Sequence, residues 1–119
     1  MNHKDIIVSW LLVIIASVNT TIGNLLLKKS RVNPDDYSFI GLTTSPWFIA
    51  GVTFYGINVI FFAKALEKLP LSIAYPVLAG LGFVFITLTA KYVFNESLIY
   101  WQYLGISFIL IGIMFLSQQ

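Results

Sequence analysis

The chain has 119 residues, 58% of them hydrophobic and only 10% charged, with a formal net charge of +2. So few charges leave little chain for a soluble domain, and so slight a positive excess speaks against a nucleic-acid partner. The absence of cysteine excludes disulfides, thiol chemistry and zinc–thiolate sites.

Nearly all charges lie between or at the ends of four apolar stretches: Ile6 to Leu27, Trp47 to Leu66, Leu71 to Phe94 and Leu98 to Ser117. Each is close to the ~20 residues a helix needs to cross a bilayer. A soluble bundle would need a polar outer face on every helix, and these stretches are apolar all round. A helix satisfies its own backbone polar groups where water is absent. The pattern therefore predicts an all-α, four-transmembrane-helix bundle, one membrane domain over residues 1–119.

The first span reads as a retained helix. Its apolar run is too long for a secretory leader and ends in Lys28-Lys29 without a small-residue cleavage pattern. Ser17, Thr20, Thr21, Asn24 and Lys28 fall on one stripe of it. Polar groups at membrane depth need partners, so the stripe faces other helices or a wet cavity. Packing between helices is the plain alternative for such hydroxyls and amides.

Between the first two spans, Asn33-Pro34-Asp35-Asp36 is a turn signal. Tyr37-Ser38-Phe39-Ile40 is suited to the headgroup region. Ser45-Pro46-Trp47 reads as a helix start, with Ser45 at the N-cap. In the second span, Tyr55 and Asn58 lie one turn apart and can face the same cavity as the stripe. Lys64, Glu67 and Lys68 at its end pair locally or snorkel.

A tight hairpin leads to the third span, where Tyr75 precedes Pro76. The proline removes a backbone hydrogen bond and bends the helix. With Gly80 and Gly82 it marks a candidate conformational hinge, although proline and glycine are frequent in membrane helices anyway. Lys91 closes the span near Glu96 and reads as a snorkelling or locally paired lysine. Lys28 and Lys91 could equally hold a phosphate at headgroup depth. In the fourth span, Gly105 and Gly112 lie two turns apart on one face, which suits close approach of a second helix and marks a dimer interface.

Trp47, Tyr92, Tyr100, Trp101 and Tyr103 cluster at span ends as an aromatic belt. One side of the membrane carries Lys4, Lys64 and Lys68, the other Lys28, Lys29, Arg31 and Lys91. This balance votes only weakly for a cytoplasmic first loop and is compatible with insertion in both orientations. No Asp, Glu or His lies in the middle of any span. No phosphate-binding loop, metal-ligand cluster or nucleophile–base pair is visible, so neither an enzyme nor a cofactor is expected.

Gly23-Asn24-Leu25-Leu26-Leu27-Lys28, Leu69-Pro70-Leu71-Ser72-Ile73-Ala74-Tyr75 and the Gly105/Gly112 helix resemble the small multidrug resistance proteins of the drug/metabolite transporter superfamily. The resemblance covers nearly the whole chain, and its most specific piece is Pro-x-x-Ile-Ala-Tyr. It implies a bacterial inner-membrane dimer, typically antiparallel, with a substrate chamber lined by the first three spans. The drug exporters carry an essential glutamate where this chain has Thr20, and a tryptophan where it has Leu78. Loss of that acid implies that proton-coupled efflux of ethidium or quaternary ammonium is not the function.

The Ala-Tyr-Pro variant is similar to the small flippase subunits proposed to move undecaprenyl-phosphate-linked aminoarabinose. That similarity implies translocation of a polyprenyl-phosphate-linked sugar, with membrane lipid and a like subunit as partners, in a homodimer or heterodimer. Two alternatives remain: a small-cation or metabolite exporter working as a heterodimer, and a non-transporting subunit supporting a glycosyltransferase.

Overall fold

A computed structural model of the chain describes residues 3–118. It contains five helices: α1 His3–Ser30, α2 Phe39–Thr44, α3 Pro46–Ala65, α4 Leu71–Val93 and α5 Tyr100–Leu116. Helices α1, α3 and α4 are long and apolar enough to cross a membrane, while α5 has 17 residues. At 1.5 Å per residue α5 spans roughly 26 Å, a little short of the hydrocarbon layer.

The boundaries differ from the sequence reading at several points. Helix α1 extends beyond Ile6 and Leu27 at both ends, and α5 begins at Tyr100 rather than Leu98. The added helix α2 occupies part of the segment read as a polar connection. Its N-cap is Ser38, whose Oγ accepts the Gly41 N–H at 3.1 Å. Ser45 does stand at the N-cap of α3, yet its side chain makes no capping bond; Pro46 at the first helical position supplies the start.

The helices stand in a row rather than a closed four-helix bundle. Helix α1 packs against α3 on one side and α4 on the other, and α4 packs against α5. The molecule measures 52 × 35 × 19 Å, so its thin direction holds about two helix diameters at most. The α3–α4 hairpin is closed only at its tight end. There Ala65, Leu69, Ala74, Val77 and Leu78 surround Val13 and Ala16 of α1, and the Phe62 and Tyr75 rings meet in a tilted contact, their centroids 6.2 Å apart.

Small residues explain why α1 takes the centre. Ser9, Val13, Ala16, Ser17, Thr21, Gly23 and Ser30 are its buried positions, and short side chains let backbones approach where no hydrophobic force drives helices together. A Cβ on Gly51 would come within 3.0 Å of the Gly23 carbonyl oxygen and of Leu27. Helix α5 contributes no buried residue. Part of its hold on α4 is the fit of Ile109 and Ile113 over Gly80, where a Cβ would come within 2.8 Å of Ile113.

Candidate functional site

The polar stripe of α1 meets α3 at Asn24. The two helices are antiparallel neighbours, with Lys29 over the Trp47 ring at 5.1 Å, Gly23 against Gly51, and Asn24 bonded to Tyr55. The Tyr55 hydroxyl donates to Asn24 Oδ1 at 2.6 Å, a side-chain bond between the helices. Continuing that register, Asn58 comes to the level of Ser17–Thr21. Asn58 is buried, and its Oδ1 has no hydrogen-bond partner.

The hydroxyls of the stripe are satisfied within α1. Ser17 donates to the Ile14 carbonyl at 2.7 Å, Thr20 to Ala16 at 3.0 Å and Thr21 to Ser17 at 2.9 Å. Each hydroxyl still has acceptor capacity to offer. Ser17 and Thr21 are buried, Thr20 and Asn24 half-buried, and Lys28 is exposed at the end of the helix. An unpartnered amide carbonyl in a low-dielectric interior is costly, so Asn58 is the position here with unmet bonding capacity.

On its other side α1 meets α4 across a laterally open apolar groove of about 290 Å³, lined by Val18, Thr21, Ile22, Leu25, Phe85 and Thr89. Thr21 belongs both to the polar stripe and to this groove.

The remaining candidates lie apart from the α1–α3 seam. Tyr75 sits at the hairpin end, exposed except for its contact with Phe62. Lys91 was read beside Glu96, but its Nζ lies 2.6 Å from the Tyr103 hydroxyl and over the Tyr92 and Tyr103 rings. The reason is helical geometry: Glu96 falls beyond the end of α4, whereas Tyr103 lies on the first turn of α5, beside the end of α4. The Lys64–Glu67 ion pair is present at 3.0 Å on the surface.

Helix α4 continues through Pro76 without interruption. Of the glycines singled out, Gly80 is packed beneath α5, and a Cβ on Gly82 would meet nothing within 4 Å. Open space likewise surrounds the Cβ positions of Gly105 and Gly112.

A feature the sequence reading passed over lies at the loop end of the row. A cleft of about 780 Å³ opens between the C-terminal ends of α1 and α4, the 31–38 loop and α2. Its walls include Lys29, Arg31, Asp35, Asp36, Trp47 and Asn95. Asp36 organises this loop. Its Oδ1 accepts the Ser38 N–H at 2.8 Å, and its carbonyl accepts from Arg31 at 3.4 Å. The bonds from Ser38, helped by Arg31, hold the Asp36 carboxyl below its ordinary value of 3.8. A basic Arg31 followed within the turn by Asp35 and Asp36 was the available signal for the cleft.

The sequence profile of the small multidrug resistance proteins matches residues 8–114. The chain belongs to that family. It is a multi-pass bacterial inner-membrane protein of a transporter family. It is 42% identical over 109 residues to an uncharacterized protein, y4nH, of Sinorhizobium fredii, covering 91% of this chain and 93% of that one. It is 31% identical over 112 residues to a probable 4-amino-4-deoxy-L-arabinose-phosphoundecaprenol flippase subunit, ArnE, of Proteus mirabilis, covering 93% and 98%. The protein of the same description from Serratia proteamaculans is 34% identical over 114 residues, covering 93% and 96%. No solved structure matches the chain.

Proposed function

We propose that this transporter moves a polyprenyl-phosphate-linked sugar across the inner membrane, working as one half of a dimer of four-span subunits. The observation that carries the reading is the double environment of α1. One side presents Asn24, Tyr55 and the unpartnered Asn58 carbonyl. The other borders an apolar groove that opens sideways, toward where lipid would lie. A lipid-linked sugar makes these two demands together. Its polar head must be solvated by protein groups, because an unpaired polar group in an apolar medium costs several kcal/mol, while its tail remains among lipid chains.

In this reading Ser17, Thr20, Thr21, Asn24, Tyr55 and Asn58 line the path of the head group, with Tyr75 at one end. Lys28 and Lys91 supply positive charge for the phosphate at the other. Pro76 and Gly82 give α4 freedom to open the path, and Gly80 couples that movement to α5. The thin row of helices cannot surround a cargo alone, which supports a second subunit. The open faces at Gly105 and Gly112 support α5 as the contact. The flippase description of relatives at 31% and 34% identity supports the lipid-linked cargo.

The test is delivery of lipid-linked sugar to the outer leaflet in cells carrying Asn24→Leu or Lys91→Leu at wild-type expression. Both variants are expected to slow delivery. Normal delivery by both would reduce the stripe to helix packing and remove the proposed path. A supporting role for a glycosyltransferase would instead show as lowered synthesis of the lipid-linked sugar.

A further inference from the structure

The 780 Å³ cleft at the loop end combines features that the transport path does not use. It is bounded by the ends of three spans, so it sits at headgroup depth in a bilayer. Beside it, Tyr37 in the loop before α2 and Phe39 and Ile40 on α2 are exposed at 79%, 87% and 75%, an apolar edge with no protein cover on the subunit. Inside it, two cationic and two anionic side chains face a common space: Lys29 and Arg31, Asp35 and Asp36.

None of these side chains forms a close ion pair with another, although Arg31 is near enough to Asp36 to help lower its carboxyl. The Lys64–Glu67 ion pair lies at the opposite end of the molecule. Lys29 lies over Trp47. Arg31 makes one long bond to a carbonyl through Nη1, and its Nε is buried, so the Nη groups are the donors it can offer to the cleft. An arginine with unmet donors is suited to a phosphate, which accepts its planar fork. The C-terminal ends of α1 and α4, both at the cleft, carry the negative end of the helix dipole and favour a cation. A purely anionic ligand would meet both aspartates, and a purely cationic one both basic residues. A ligand bearing both charges satisfies the whole set.

We infer that this cleft binds a phosphodiester headgroup carrying a primary ammonium, with the phosphate on Arg31 and Lys29 and the ammonium on Asp35 and the adjoining helix ends. The exposed aromatic edge of α2 keeps the attached lipid chains in the bilayer beside it. Two lipids share this chemistry: a phosphatidylethanolamine of the bilayer and an amino-sugar phosphate on a polyprenyl carrier. Only the second source rests on the transport reading above.

The experiment is native mass spectrometry of the full chain against an equimolar mixture of dioleoyl phosphatidylethanolamine, phosphatidylcholine and phosphatidylglycerol. Phosphatidylcholine lacks ammonium N–H donors, and phosphatidylglycerol lacks the ammonium. The ethanolamine lipid is expected to be retained about tenfold over both, equivalent to about 1.4 kcal/mol. Asp35→Asn should erase its advantage over phosphatidylglycerol, and Arg31→Gln should weaken retention of all three. Glu67→Gln, at the far end, should change neither.

Equal retention of the three lipids by wild type would overturn the inference, as would a preference that survives both cleft substitutions. Adding a synthetic polyprenyl-phosphate amino sugar then separates the sources. Displacement of the ethanolamine lipid assigns the site to cargo, and continued retention assigns it to the bilayer. A preserved ethanolamine preference in a chain that delivers no lipid-linked sugar would retain the cleft and discard the transport reading.

Discussion

The crossing of α1 and α3 and the seam of α4 and α5 both depend on glycine, but they use it differently. At α1–α3, Gly23 and Gly51 oppose each other, and a Cβ on either would come within 3.0–3.2 Å of the other's carbonyl oxygen. Backbone meets backbone, and neither side can yield. At α4–α5, Gly80 is a hollow filled by the ends of two isoleucines, while Gly105 and Gly112 stand in open space. The first contact fixes two helices within a subunit. The second leaves most of α5 uncommitted, as a helix awaiting lipid or another subunit would be.

The sharpest break of this contrast is Gly51→Leu. Overpacking against rigid backbone costs typically 1–3 kcal/mol or more, so this variant should unfold at markedly lower temperature or detergent concentration. Gly56 lies on the same helix with nothing within 4 Å of its Cβ position. Gly56→Ala should be neutral or stabilise by about 0.4–1 kcal/mol through lower chain entropy in the unfolded state. Equal effects of the two changes would erase the distinction between packed and open glycines.

Next in size is the pair Gly105→Leu and Gly112→Leu. On a single subunit the added side chains project into empty space, so helical content should be kept. Association measured by sedimentation in detergent should fall to monomer. A double variant that stays associated would move the interface away from this face of α5. A smaller effect is expected for Tyr55→Phe, which deletes the 2.6 Å bond to Asn24. The loss should be about 0.5–1.5 kcal/mol of stability. If Tyr55→Phe leaves thermal stability unchanged, the polar seam does not hold α1 to α3.

The smallest effect concerns acid. The Asp36 carboxyl sits below its ordinary 3.8 in the folded protein, chiefly through the Ser38 N–H. Its contribution is present above 3.8 and is lost as pH falls through the lower folded value. Acidification below pH 3.8 should therefore loosen the 31–44 segment first, read as faster proteolysis there. Asp36→Asn should flatten that response, and an unchanged response would assign it to other carboxylates.

Much of the molecule was legible in the order of its residues. Charges at span ends located α1, α3 and α4 to within a few residues, because uninterrupted apolar runs have few other solutions in a membrane. The Asn24 and Tyr55 positions were legible as polar groups at helical spacing. Their direct bond was not, since it depends on the antiparallel register set by Gly23 and Gly51. The row was not legible either. Which helix stands between two others depends on how small side chains fit, and apolar patterning around lipid-facing helices carries little of that information. Helix α2 was hidden by its length. Six residues give no periodicity, and its start depends on the joint geometry of Asp36, Ser38 and Gly41, where a Cβ would come within 2.6 Å of Asp36.

The central claim is that this member of the small multidrug resistance family moves a lipid-linked sugar along α1 without a titratable group of its own in the spans. Purified protein in liposomes, loaded with a polyprenyl-phosphate-linked sugar and assayed for appearance of the head group on the opposite leaflet, tests it directly. Movement should occur without a proton gradient, should slow in Asn24→Leu, and should be accompanied by no proton-driven uptake of ethidium. Proton-coupled ethidium transport with no movement of the lipid-linked sugar would contradict the account.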